Sequence, residues 1–166
     1  MIWLVLVLGG LVFVWWLLNG PGVNRKVSQM DLEIYLDILY RCGFPNSTAV
    51  ITIPRRREFI QFRRRFLDDG TTDIQLGFPL ASWSSGYYEN FVKLVERGKI
   101  AYFTESTEEG TVTQFTLINF NGDLHRAGDL ARRILREVFG VEEDVKVTVE
   151  LSNCSLKEVH VESEPK

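Results

Sequence analysis

PRRREFIQFRRRFL, residues 54–67, is the stretch on which the fold turns. Two arginine triplets, Arg55-Arg56-Arg57 and Arg63-Arg64-Arg65, frame an apolar centre of Phe59, Ile60 and Phe62. Drawn as a helix, the stretch gathers Phe59, Ile60, Phe62, Phe66 and Leu67 on one side. Three arginines would then sit at a helix N-terminus, against the macrodipole. Drawn as a strand, it places Ile60, Phe62 and Phe66 on one face and Phe59, Gln61, Arg63 and Arg65 on the other. Asp68-Asp69-Gly70 then supplies a hairpin loop into residues 73–78, where Ile74, Leu76 and Phe78 alternate. The strand reading is preferred, and it puts an antiparallel hairpin at the centre of the chain.

The flanks extend this sheet and cover it. Upstream, Leu32, Tyr35, Leu36 and Leu39 recur at the i, i+3, i+4, i+7 spacing of an amphipathic helix. Ser28-Gln29-Met30-Asp31 opens it with the spacing of a capping box, Asp standing where Glu or Gln is usual. Gly43 and Pro45 end it, and AVITI at 49–53 is a β-branched strand. Downstream, Ser84 or Ser85 caps a helix bearing Tyr87, Phe91, Leu94 and Val95, which Gly98 closes. Residues 100–105 and 111–120 are strands joined by a polar loop. Asp123 caps a helix whose buried face is Leu124, Ala127, Ala131, Ile134, Leu135 and Val138, with Asp129 and Arg133 paired outside. Val145, Val147, Val149 and Leu151 alternate with polar residues in a final half-buried strand.

The predicted class is α+β, in the order α-β-β-β-α-β-β-α-β with an antiparallel sheet. One domain over residues 28–152 is expected, after a linker at 20–27 and before a polar tail at 153–166. The element order, together with the string Glu58-Phe59-Ile60-Gln61-Phe62, resembles the type III secretion chaperone-like fold over residues 28–140. That resemblance implies a small bacterial α+β protein that binds other proteins and performs no catalysis. The rival architecture is a ferredoxin-like β-α-β-β-α-β core over residues 73–151.

Composition excludes collagen-like and disulfide-rich chains, since 166 residues hold 13 Gly, 5 Pro and only 2 Cys. The distribution is more informative than the averages. Residues 2–18, IWLVLVLGGLVFVWWLL, carry no polar side chain. As a helix they span roughly 26 Å, close to the ~30 Å hydrocarbon core. Trp15 and Trp16 fall where indoles prefer the headgroup boundary. Nothing basic precedes the run and no small-x-small site follows it, so a transmembrane anchor over 1–19 is preferred to a signal peptide. Arg25, Lys26 and the later arginines place the remainder in the cytoplasm by the positive-inside rule. The expected location is thus a bacterial inner membrane, single-pass, with the N-terminus outside. Cys42 and Cys154 would remain thiols there.

Charge divides the rest. Residues 21–66 hold 9 basic and 4 acidic groups, whereas residues 67–166 hold 10 and 18. The basic part directly follows the anchor. Arg55, Arg56, Arg57, Arg63, Arg64 and Arg65 are therefore candidates for an anionic surface, each worth about 1 kcal/mol beside an anionic leaflet. A solvated strand edge, where positive charge discourages aggregation, is the plainer account. Nucleic acid is disfavoured, because TVTQFTLINF at 111–120 lacks the basic-Gly-aromatic string of an RNA-recognition strand. Trp83, Tyr87 and Tyr88 are candidate partner-binding aromatics, though Tyr87 shares the helix face that must be buried.

No catalytic constellation is legible. His125 and His160 lack a nucleophile partner, the glycines fall at turns, and Glu142-Glu143-Asp144 reads as a solvated loop. No metal and no cofactor are expected. The sequence reading is a membrane-anchored protein-binding or chaperone-like module, with a bilayer through residues 2–18, a protein partner and a homodimer among its associations. An electrostatic membrane-surface or nucleic-acid module built on the arginine triplets is the alternative.

Overall fold

The computed structural model describes residues 23–107 and 112–154, an α+β domain of seven antiparallel strands and three helices. The strands are β1 (Val23–Val27), β2 (Gly43–Thr52), β3 (Phe59–Phe66), β4 (Thr72–Ala81), β5 (Phe103–Ser106), β6 (Val112–Asn119) and β7 (Val147–Cys154). The helices are α1 (Leu32–Cys42), α2 (Ser85–Arg97) and α3 (Leu124–Arg133), the last continuing as a π turn over Ile134–Val138. Residues 2–18 lie outside the described residues, as does the tail beyond Cys154. Among the described residues no helix is long and apolar enough to cross a membrane.

The decisive stretch is a strand from Phe59 onward. Residues 54–57 form the turn before it, and β3 pairs with β2 through Ile51↔Ile60 and with β4 through Phe62↔Leu76. Gly70, at φ +81°, supplies the left-handed residue of the β3–β4 turn. The linker expected at 20–27 is corrected over Val23–Val27, which forms the edge strand β1 on β7. VNRKV carries too little apolar alternation to announce itself, and its Arg25 and Lys26 suit an edge that must not recruit another chain.

Strand order is β1-β7-β2-β3-β4-β6-β5. This corrects the ferredoxin-like rival. β4, β6 and β5 do make a split β-α-β arrangement, but the β2–β3 hairpin stands between β7 and β4, where that fold requires direct pairing.

All three helices pack on one face of the sheet. Ile60, Phe62, Ile74, Leu76, Phe78, Val147 and Val149 meet Leu32, Leu36, Leu39, Phe91, Leu130 and Ile134 in the main core. Phe78 is fully buried and stacks on Phe91 at 4.1 Å between centroids and on Phe139 at 5.7 Å. Polar braces close both ends of the helical layer. The Gln29 amide, 2% exposed, donates to the carbonyls of Glu142 (2.7 Å) and Val145 (3.1 Å). Asp123 Oδ1 accepts from the Arg126 amide at 3.0 Å, the cap expected of it. Its helix differs in one external pair: Arg133 meets Glu137, while Asp129 lies 3.8 Å from Arg132.

Candidate functional site

Strand alternation divides the arginine triplets. Arg64 shares its parity with Ile60 and Phe62 and so turns to the helical side. There its Nε donates to the Tyr40 carbonyl at 2.9 Å, and its Nη1 donates to the Gly43 carbonyl, at the C-terminal end of α1. Its guanidinium also lies 4.3 Å from the Phe66 ring centroid. Arg56 does the equivalent at the end of the α3 π turn, donating from Nη2 to the Phe139 carbonyl at 2.9 Å. The same group pairs with Glu58 at 2.8 Å, and the Tyr87 hydroxyl donates to Glu58 at 2.8 Å. These contacts hold the Glu58 carboxyl at about 2, the Arg56 hydrogen bond being the chief cause, and they raise Arg56 further. The middle arginine of each triplet is thus a C-terminal helix brace. Arg55 and Arg57 are exposed in the β2–β3 turn, while Arg63 and Arg65 are half-buried on the face of the sheet away from the helices.

That second face is divided in two. Over β1, β7 and β2 its outward residues are mostly polar: Asn24, Lys26, Thr148, Glu150, Thr48 and Thr52, with Val50 among them. Over β3, β4, β6 and β5 the face is mixed: Phe59, Gly77, Pro79, Phe115, Leu117 and Phe103 lie on it together with Gln61, Arg63, Arg65, Asp73, Gln75, Asn119 and Glu105. Ala81, Val112, Phe115 and Leu117 form a second apolar cluster, separate from the main core, with Phe59 and Trp83 packed on it. Trp83 tilts on Phe59 at 5.4 Å. Phe103, 45% exposed, continues the apolar surface to the edge strand. Among the described residues β5 pairs with β6 alone, so its outer row of backbone groups faces away from the sheet.

A cavity of about 120 Å³ opens within this half. Phe115 and Leu117 form its floor, Gln61, Arg63 and Gln75 one wall, and Glu105, Ser106 and Thr107 the other. Gly77 makes the space: a Cβ there would lie 3.1 Å from Phe115 and 3.5 Å from Leu117. Gln75, 3% exposed, is oriented by donating Nε2 to Asn119 Oδ1 at 2.8 Å. The volume is well below the ~300–1,000 Å³ of small-molecule sites. It suits one side chain, with a guanidinium, two carboxamides and a carboxylate around it to meet polar backbone. Gly77→Ala is expected to change stability by less than about 1 kcal/mol in urea titration, lower chain entropy offsetting the displacement of Phe115 by a few tenths of an ångström.

The three candidate aromatics separate. Trp83 lies on the apolar half-face. Tyr87 is committed to Glu58 and packs edge-on against Phe139 at 5.3 Å. Tyr88 shares a hydrogen bond with Thr116 at 3.1 Å and lies beside Phe78 and Phe91. Both tyrosines therefore work on the helical side. Phe115, Leu117 and Gln75 join the site with no local signal in the sequence, whereas strand alternation already places Gln61 beside Arg63. His125 is exposed, 3.2 Å from Glu33. Comparisons with protein families, curated proteins and solved structures give no significant match.

Proposed function

We propose that this chain is a single-span, membrane-anchored protein whose α+β domain binds a protein partner on the apolar half of its open sheet face, without covalent chemistry. The observation that supports it most directly is the second apolar cluster on that face, beside the notch. A solvated antiparallel sheet ordinarily shows polar residues to water throughout. Here part of that face instead holds an apolar cluster of Phe115 and Leu117, both buried, with half-buried Phe59 and Trp83 packed on it and exposed Phe103 at its margin, beside a notch of side-chain size. A partner segment laid along β5 would satisfy its free backbone edge, cover Phe103 and place one side chain in the notch between Arg63 and Glu105. The uncharged run at 2–18 and the basic residues after it support the anchor and a cytoplasmic domain.

Photo-crosslinking from the full chain in its own membranes tests this reading. A benzophenone amino acid at position 103 or 61 is expected to give one discrete adduct, and the same group at 143, in the α3–β7 connection, none. Gly77→Leu, which fills the notch, should lower adduct yield several-fold. Equal labelling from 103, 61 and 143 would sink the proposal, and an adduct made only with a second copy would replace the partner by a homodimer.

A further inference from the structure

We infer that the end of the sheet bearing Phe44, Phe66 and Arg65 rests in the headgroup layer of the bilayer, and that the opposite end, with Arg55 and Arg57, faces away from it. The inference rests on the anchor reading above. β1 begins at Val23 opposite Leu151 of β7, at the end of the sheet that also holds the start of β2 and the end of β3. Only residues 19–22 separate Val23 from the uncharged run, so Val23 lies within about 18 Å of Leu18. Three strand spacings, roughly 14 Å, carry that end from β1 to β3.

The same end carries two exposed phenyl rings, Phe44 at 57% and Phe66 at 49%. Arg64 ties together the segments that carry them, since it lies on the Phe66 ring and donates to the carbonyl of Gly43, next to Phe44. Neither ring belongs to the main core or to the apolar half-face. The charges around them, three arginines with Arg64 counted and four aspartates, leave a small negative excess. Arg65 faces Asp73 across β3 and β4, exposed Asp68 and Asp69 occupy the turn, and Arg41 pairs with Asp37. Apolar insertion, not net charge, is therefore what seats this end, with Arg65 extending its guanidinium to the headgroups. The turn with Arg55 and Arg57 lies beyond the other end of β3, about 23 Å along the strand, so the two triplets do not share one contact. This orientation turns β3 toward the bilayer normal and leaves the open face accessible.

The test uses the full chain with Cys42→Ser and Cys154→Ser, reconstituted in phosphatidylcholine vesicles. Single cysteines replace Phe44, Phe66, Arg57 or Glu143 and carry a bimane label, with nitroxide lipid at headgroup depth. Labels at 44 and 66 are expected to be quenched several-fold more than those at 57 and 143, with little change in high salt. Equal quenching at all four positions in vesicles that float with bound protein overturns the inference and leaves the anchor standing. Quenching that requires anionic lipid and vanishes in salt overturns it in favour of an electrostatic contact. Protein that fails to float removes the anchor reading, and this inference with it.

Discussion

Arg56→Ala is expected to lower the unfolding free energy by about 3 kcal/mol, while Arg55→Ala and Arg57→Ala in the same triplet change it by less than about 0.5 kcal/mol. The three side chains are identical in charge and adjacent in sequence, so only their partners differ. Arg56 spans two elements, holding Glu58 before β3 and the Phe139 carbonyl at the close of the α3 π turn. The Glu58 side chain is 12% exposed, and without Arg56 its hydroxyl partner Tyr87 would be the main group left to stabilise its charge. Removing the exposed partner of a mostly buried carboxylate costs more than the pair contributes, because the remaining charge stays partly desolvated. For a domain of this size the loss corresponds to roughly 10 °C in Tm.

The same contact carries an acid dependence whose sign is fixed. Glu58 is held at about 2, below its ordinary 4.5, so folding favours the deprotonated form. Its contribution is complete above the ordinary carboxylate value and disappears as pH falls from about 5 to about 2. The amount is on the order of 3 kcal/mol, and it overlaps with the Arg56 loss instead of adding to it. Urea midpoints measured across that window should fall less steeply for Glu58→Gln than for the parent chain. Equal slopes would show that the pair does not set the acid response.

Local pattern carried most of the elements. The 3.6-residue spacing of α1 and the Asp123 cap of α3 are written within ten residues of sequence, and period-two alternation around Phe62 chose strand over helix. The edge strand β1 is illegible because two of the five residues in VNRKV are charged, and its place is set by Val149 and Leu151 more than a hundred residues away. The insertion of β2 and β3 between β7 and β4 was equally illegible, since strand order is a long-range choice. The candidate site follows the same division. Alternation already placed Phe59, Gln61, Arg63 and Arg65 together, but nothing local says that Phe115 and Leu117 continue that surface through Gly77. The braces were half legible: Arg64 has the parity of Ile60 and Phe62, a signal that it points inward, whereas Arg56 sits in a turn where no periodicity applies.

Arg64→Ala should cost about 2–3 kcal/mol, and Arg63→Ala or Arg65→Ala less than about 1 kcal/mol, in urea or thermal unfolding. Arg64 satisfies the carbonyls of Tyr40 and Gly43 where α1 has run out of amide donors. It adds a cation–π contact with Phe66 worth roughly 0.5–1 kcal/mol. The backbone is shaped around it: a Cβ on Gly43 would come within 2.5 Å of the Leu39 carbonyl oxygen and 2.9 Å of Arg64 Cδ. Gly43 is therefore needed for close approach, its φ of −76° being open to any residue. Lysine retains the charge but lacks the planar fork that reaches two carbonyls, so Arg64→Lys should recover only part of the loss. Recovery of full stability by lysine would show that charge at the helix terminus, and not the two-carbonyl geometry, is what matters. The contrast with Arg63 separates stability from binding. Arg63 lines the notch on the opposite face and makes no helix brace. A Arg63→Ala chain that melts normally but loses its crosslinked partner locates binding on the open face, and an Arg64→Ala chain that melts early and loses the partner only on unfolding locates its role in the fold.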